Sequence, residues 1–282
     1  MEDNSSKETE MKKYVVLSVN ENPQYLFYMP IVIWAWRHFG WEPIIFSRQF
    51  APKSIPENCI WSTFGYIDKA YSLLLFHCNQ HDGYKSETIA QVSRLYGACV
   101  VDQDSYLMTS DIDMLPLSDF WKPNMKNITV WGHDLCSFNH YPICYIGMPH
   151  DKWVQVMGLT DNDYDKLIKR DLDTQPQAKS TVNMNAWFTD QDLITAKIKA
   201  TQFEKDFVNR GTYQYGHALH RVDRGSWRLD HDRFIDCHML RDIYKNPKHF
   251  DMTMELLRKI WPNEDFTWFK EYTEEFKRIV NG

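Results

Sequence analysis

The sequence predicts an α/β protein with a helical cap at its C-terminal end, and three observations carry that expectation. An apolar run, Tyr14-Val-Val-Leu-Ser-Val19, is followed by a helix beginning at Pro23 and a second apolar run from Trp41, the strand–helix–strand opening of an α/β sheet. Another buried-strand pattern, Ser105-Tyr-Leu-Met-Thr-Ser110, recurs after a helical stretch. Two amphipathic segments, 251–261 and 266–280, separated by Pro262, close the chain.

The elements follow in order. Residues 1–12 are expected to form a disordered tail. The first strand ends at Asn20, where its carboxyl end opens onto a loop. The first helix runs from Pro23 to about His38 through Pro30 and stops at Gly40; strand two covers 41–46. In the helix predicted over 85–98, Ile89, Val92 and Tyr96 recur at helical spacing, leaving Gln91 and Arg94 on the opposite face, a pair that reads as solvated. Further strands are expected at 105–110, 127–131 and 143–148. The economical parse is one body over 13–250 with the helices of 251–282 packed on it; the aromatic residues Trp261, Phe266, Phe269 and Phe276 form the packing face.

Composition narrows the function classes. At 282 residues, 43% hydrophobic and 25% charged, the chain can bury a substantial core. It has only 11 glycines, about half the usual ~7%, beside 11 tryptophans and an aromatic content of 15%. Neither GxGxxG nor GxxxxGK[ST] occurs, so a Rossmann dinucleotide site and a Walker-type NTPase are not expected. The net charge of −6 argues against a nucleic-acid partner. The six cysteines contain no CxxC pair and read as reduced, buried thiols. The polar stretch 1–13 lacks an apolar signal region, and the longest apolar run, 25–36, is too short to span a bilayer, so the expectation is a cytoplasmic protein with no membrane span.

An Asp-x-Asp spacing places two carboxylates on one side of an extended backbone, where they can hold a hard divalent cation. The spacing occurs seven times, at Asp102/Asp104, Asp111/Asp113, Asp161/Asp163, Asp163/Asp165, Asp171/Asp173, Asp190/Asp192 and Asp230/Asp232. Most of these lie in polar stretches that read as surface. Asp111 and Asp113 differ, because an apolar strand delivers them and Met114-Leu-Pro-Leu117 follows. Carboxylates in such a setting need a cation or hydrogen bonds, and the carboxyl end of a strand is where α/β folds bind ligands.

The stretch Leu107-Met-Thr-Ser-Asp-Ile-Asp-Met-Leu-Pro-Leu117 resembles the DxD motif of GT-A-fold glycosyltransferases. Trp187-Phe-Thr-Asp-Gln-Asp-Leu-Ile194 is similar to the W-x-DQD-x-L pattern of their retaining glycogenin and lipopolysaccharide galactosyltransferase group, in the same order along the chain. A fainter likeness is to glycosyltransferase domains of large algal viruses. The resemblance implies a GT-A-like mixed, mostly parallel central sheet flanked by helices. It also implies Mn²⁺ or Mg²⁺ held by Asp111 and Asp113, and a nucleotide-diphosphate sugar, UDP-linked in the first instance, as donor to a glycan or other hydroxyl acceptor with retention. Asp190, Gln191 and Asp192 become the candidates beside the anomeric carbon, with Asp190 and Gln191 favoured; Asp190 or Asp192 also reads as a helix N-cap. Ser18, Val19 and Asn20 would hold the donor's base and ribose, with Asp111 alongside, and Arg94 its phosphates.

Two departures remain. The family's NAG segment has no counterpart, Asn183-Met-Asn185 lying too close to DQD. Its HxxGxxKPW motif is absent, leaving His238 in Asp236-Cys-His238 as the choice for third metal ligand, and His231 and Asp230 next. Trp131, Trp187 and Trp227 are sugar-stacking candidates, and His133 and Asp134 acceptor-side candidates. Competing readings are a haloacid-dehalogenase-like phosphohydrolase, whose second position after the motif is here Leu115, and a non-catalytic carbohydrate-binding protein.

Overall fold

The computed structural model describes residues 11–48, 74–133, 140–179, 184–209, 220–231 and 233–281. Among these, a seven-stranded sheet is built from β1 (Lys12–Val19), β2 (Glu42–Arg48), β3 (Leu74–Cys78), β4 (Ser105–Thr109), β6 (Ile128–Trp131), β7 (Ile146–Pro149) and β8 (Lys205–Val208), in the order β3-β2-β1-β4-β7-β6-β8. Its pairs β3/β2, β2/β1, β1/β4 and β6/β8 are parallel; β7 alone runs against its neighbours β4 and β6. The expected mixed, mostly parallel sheet flanked by helices is therefore the one observed.

The continuous apolar runs follow from burial on both faces. Side chains alternate across a strand, and Val15, Leu17 and Val19 enter one core while Tyr14 and Val16 enter the other. Helix α1 (Pro23–His38) covers the first face. Asn22 caps it by accepting the Gln24 N–H at 3.0 Å, and Pro23 begins it. The helix continues through Pro30, and the chain turns out at Gly40, whose φ of 74° suits glycine. α1 is apolar on nearly every side because the C-terminal helices α6 (Pro247–Ile260) and α7 (Thr267–Asn281) cover its outer surface. Phe27 stacks with Tyr272 at 5.4 Å and meets Phe269 and Phe276, while Trp34 packs edge-on to Trp261 at 4.9 Å. Much of the aromatic excess is spent in this core, including the group Trp36, Trp121, Trp131 and Tyr145.

The opposite face is covered by α2 (Ser86–Ser93), α3 (His150–Met157), α4 (Tyr164–Asp173) and α5 (Thr189–Lys199). A small second sheet, β5-β10-β9, joins β5 (Met114–Pro116), β10 (Phe234–His238) and β9 (His220–Val222).

Several boundaries shift for local reasons. β1 begins at Lys12, inside the expected tail; residues 1–10 lie outside the described residues. The helix expected over 85–98 is α-helical only to Ser93 and continues as a 3₁₀ turn, Arg94–Cys99. The strand expected over 143–148 divides into a 3₁₀ turn, Ile143–Tyr145, and β7, because Pro142 starts a turn. Asn246 caps α6 and Pro247 opens it, four residues before the expected start. Cys78, Cys99 and Cys237 are buried free thiols and Cys144 is half-buried; Cys59 and Cys136 lie outside the described residues.

Candidate active site

The chain winds outward from β1 through β2 to β3 and then returns to β4 on the other side of β1, so a crevice opens at the carboxyl ends of β1 and β4. Ser18, Val19 and Asn20 stand at the first of these ends. At the second, Ser110 extends the ladder by donating its N–H to Val16 O at 3.0 Å, and Asp111 follows.

The Asp111–Asp113 segment is not extended. The Met114 N–H donates to Asp111 O at 3.1 Å, closing a turn, so the two carboxylates diverge rather than sharing one side. Ile112, at its centre, is buried in the core and anchors the turn. β5 then pairs antiparallel with β10 in a register that sets Met114 opposite His238 and brings the imidazole beside Asp113.

Arg94 joins one carboxylate to the second motif. It starts the 3₁₀ turn after α2 and is only 5% exposed. Nη1 donates to Asp111 Oδ1 and, at 3.2 Å, to Ser110 O, while Nη2 donates to Asp190 Oδ2 at 2.5 Å. Asp190 is buried at the start of α5, where its other oxygen accepts the Gln191 N–H at 2.8 Å. Burial lifts its carboxyl above the ordinary range and Arg94 opposes that lift.

Asp113 faces the other way. Its Oδ2 accepts from Arg224 Nη1 at 3.0 Å and lies 3.4 Å from His238 Nε2. Burial pushes this carboxyl up, but the hydrogen bonds and charges of His238 and Arg224 outweigh it and hold the group below its usual value. Asp223 Oδ2, 3.3 Å from His238 Nδ1, orients the imidazole from behind.

These groups line a cleft of about 240 Å³. It contains Ser18, Val19, Asn20, Arg94, Asp111, Asp113, Asp190, Gln191, His238 and Trp187, so two sequence segments selected independently, at 111–113 and 187–191, form its walls together. Trp187 is 55% exposed there. Tyr25, Glu87, Gln91 and Arg224 also line it and were not singled out for the site by sequence. The helical spacing of Gln91 and Arg94 was the available signal; the pair faces the cleft instead of bulk solvent.

Other expectations are redirected. Asp192 lies outside the cleft, with Oδ1 2.8 Å from His140 Nε2. Neither Asp190 nor Asp192 caps α5, whose N-cap is Phe188. Arg94 lines the cleft as expected, but its terminal nitrogens donate to two carboxylates and a carbonyl of the protein. Asp236 is fully buried in a bidentate pair with Arg221 and a bond from Tyr145, which ties the small sheet to the core. Asp230 pairs with Arg228, and His231 stacks on His220 at 3.4 Å, both away from the cleft. Trp131 is buried core, and Trp227 is partly buried against that core. His133 is exposed beside Phe207; Asp134, Asp232, Asn183 and the side chain of Asn185 lie outside the described residues. Asp171, expected at the surface, is buried among Tyr96, Arg170 and Lys197.

The donor set suits a hard divalent cation. Asp113 and His238 converge to 3.4 Å, and four carboxylates line the cleft (Glu87, Asp111, Asp113, Asp190) against two guanidiniums, a surplus of negative charge that a divalent cation would balance. As arranged, Asp111 is turned onto Arg94, and among the described residues no three carboxylate, imidazole or thiol groups gather around one point.

Neither a protein-family profile nor a curated protein sequence matches the chain. Among solved structures, it is similar to the glycosyltransferase GlyE of Streptococcus pneumoniae TIGR4 at 12% identity and a TM-score of 0.42, over 73% of this chain and 48% of that one. The apo form of GlyE gives 10% identity and a TM-score of 0.47, over 93% of this chain and 64% of that one. The bifunctional glycosyltransferase WbbM gives 13% and 0.45, over 96% and 52%. The chain thus spans about half to two thirds of the length of these structures. Among the described residues no helix is long and apolar enough to cross a membrane.

Proposed function

We propose that the chain is a glycosyltransferase that takes a sugar from a nucleotide-diphosphate donor, a UDP-sugar in the first instance, and passes it with retention to a hydroxyl of a glycan or other acceptor. The observation that carries this reading is the meeting of Asp111–Asp113 and Asp190–Gln191 in one cleft at the carboxyl ends of β1 and β4, with Arg94 bonded to both.

In this reading Ser18, Val19 and Asn20 form the floor for the donor's base and ribose. Asp113 and His238, with Asp111, would hold Mn²⁺ or Mg²⁺, which when bound acts as a Lewis acid on the diphosphate. Asp223 fixes the orientation of His238. Arg94 holds Asp190 and Asp111 in place, so that Asp190 and the Gln191 amide can stabilise positive charge that develops at the anomeric carbon. Trp187 offers a ring face to a sugar at the mouth.

The test is incubation of the protein with UDP-, GDP- and CDP-sugars, with and without Mn²⁺, measuring released nucleoside diphosphate. Metal-dependent release from at least one donor supports the reading. Phosphate release from simple monoesters would favour a phosphohydrolase, and sugar binding without any turnover a carbohydrate-binding protein.

A further inference from the structure

The two arginines of the cleft are used very differently. Arg94 is shut in and its terminal nitrogens are engaged by Asp111, Asp190 and Ser110 O. Arg224 has 23% of its side chain exposed, lines the cleft, and among the described residues makes one hydrogen bond, from Nη1 to Asp113 Oδ2. A guanidinium carries five N–H donors in a planar fork, so among the described residues most of the donors of this cleft-lining arginine are without a protein partner.

The backbone beneath Arg224 is fixed. β9 ends at Val222, and the chain turns so that Asp223 and Ser226 bridge, with the Ser226 N–H donating to Asp223 O at 3.0 Å and the Gly225 N–H to Asp223 Oδ1 at 2.7 Å. Arg224 therefore stands at the tip of a pinned turn. Its partner, Asp113, also lies 3.4 Å from His238 Nε2, and these two are the groups that would hold the cation in the reading above. A cation there competes with Arg224 for the Asp113 charge, and each weakens the other's hold. A fork released at that point matches phosphate oxygens two at a time, which a lysine ammonium cannot do.

We propose that Arg224 is a donor-binding residue: it neutralises Asp113 in the empty cleft and gives its fork to the donor's diphosphate when the divalent cation takes Asp113. This rests on the nucleotide-sugar reading above, and it assigns the diphosphate to Arg224 in place of Arg94.

The experiment is calorimetric titration of the full chain, first with Mn²⁺ alone and then with UDP, GDP or CDP at saturating Mn²⁺, for the wild type, Arg224→Gln and Arg224→Lys. Arg224→Gln is expected to weaken nucleoside-diphosphate binding roughly ten- to a hundredfold, the range for charge-assisted bonds, while Mn²⁺ binds as tightly as before or more tightly. Arg224→Lys should lie between, and it decides the matter alone if Arg224→Gln does not fold. Unchanged nucleotide affinity, or a parallel loss of Mn²⁺ and nucleotide, would mean that Arg224 only orders Asp113 and overturns the proposal. A wild-type protein that binds none of the three nucleotides overturns the donor-site reading itself.

Discussion

Arg94 and Asp190, 96 residues apart in the chain, meet at 2.5 Å with both side chains closed off from solvent. Removing one member of a buried pair leaves the other charge uncompensated, at a cost of about 3–5 kcal/mol. Arg94→Met should therefore destabilise the fold by an amount in that range, measured by urea unfolding. Adding Asp190→Asn should recover part of the loss, since the stranded carboxylate goes with it. Additive losses would show that the two residues act separately.

A second buried carboxylate governs acid stability. Asp171 is pushed up by burial but held below its ordinary value by bonds from Arg170 and Tyr96 and the charge of Lys197. A carboxyl whose pKa is depressed on folding contributes stability above the unfolded value, near 4, and loses it as pH falls through the folded one. The wild type should thus lose stability below about pH 4 more steeply than Asp171→Asn, which starts lower at pH 7. Urea midpoints at pH 7 and pH 3 check this; equal slopes for the two proteins would contradict it.

The tryptophans separate into core and cleft. Trp131, 1% exposed, packs on Trp121, and Trp131→Ala should cost about 3–5 kcal/mol of stability. Trp187 is 55% exposed at the mouth. Trp187→Ala should leave unfolding within about 0.5 kcal/mol of wild type while raising the KM for donor or acceptor roughly three- to tenfold, the worth of one ring contact. An unchanged KM would remove Trp187 from the site.

How much of this was legible in the sequence follows from where each signal resides. β1, α1 and β4 announce themselves because burial on both faces of a strand, or all round a helix, leaves continuous apolar runs such as Tyr14–Val19. Asp111 and Asp113 stood out for the same reason, since an apolar strand delivers them. Arg94 was named only as a candidate for the donor's phosphates, and its ion pairs stayed hidden, because a polar pair at helical spacing looks the same whether it meets water or two carboxylates brought from elsewhere in the chain. Arg224 bonds a residue 111 positions away, and Asp171 is met by Tyr96 and Lys197 from two other segments; neither set of contacts leaves a local trace. Strands of three residues, such as β5 and β9, are too short for alternation to register, yet β5 is what sets His238 against Asp113. The divergence of the two aspartates was hidden by the assumption of an extended backbone, which the turn at Asp111–Met114 breaks.

The donor site is tested most directly by turnover of the best nucleotide sugar as a function of Mn²⁺ concentration in wild type and in Asp113→Asn, which keeps the shape of the side chain and removes its charge. The proposed site predicts saturable Mn²⁺ dependence in the wild type and a loss of at least about a hundredfold in the variant, as expected when several kcal/mol of charge stabilisation is withdrawn. Equal, metal-dependent turnover by both proteins would contradict it.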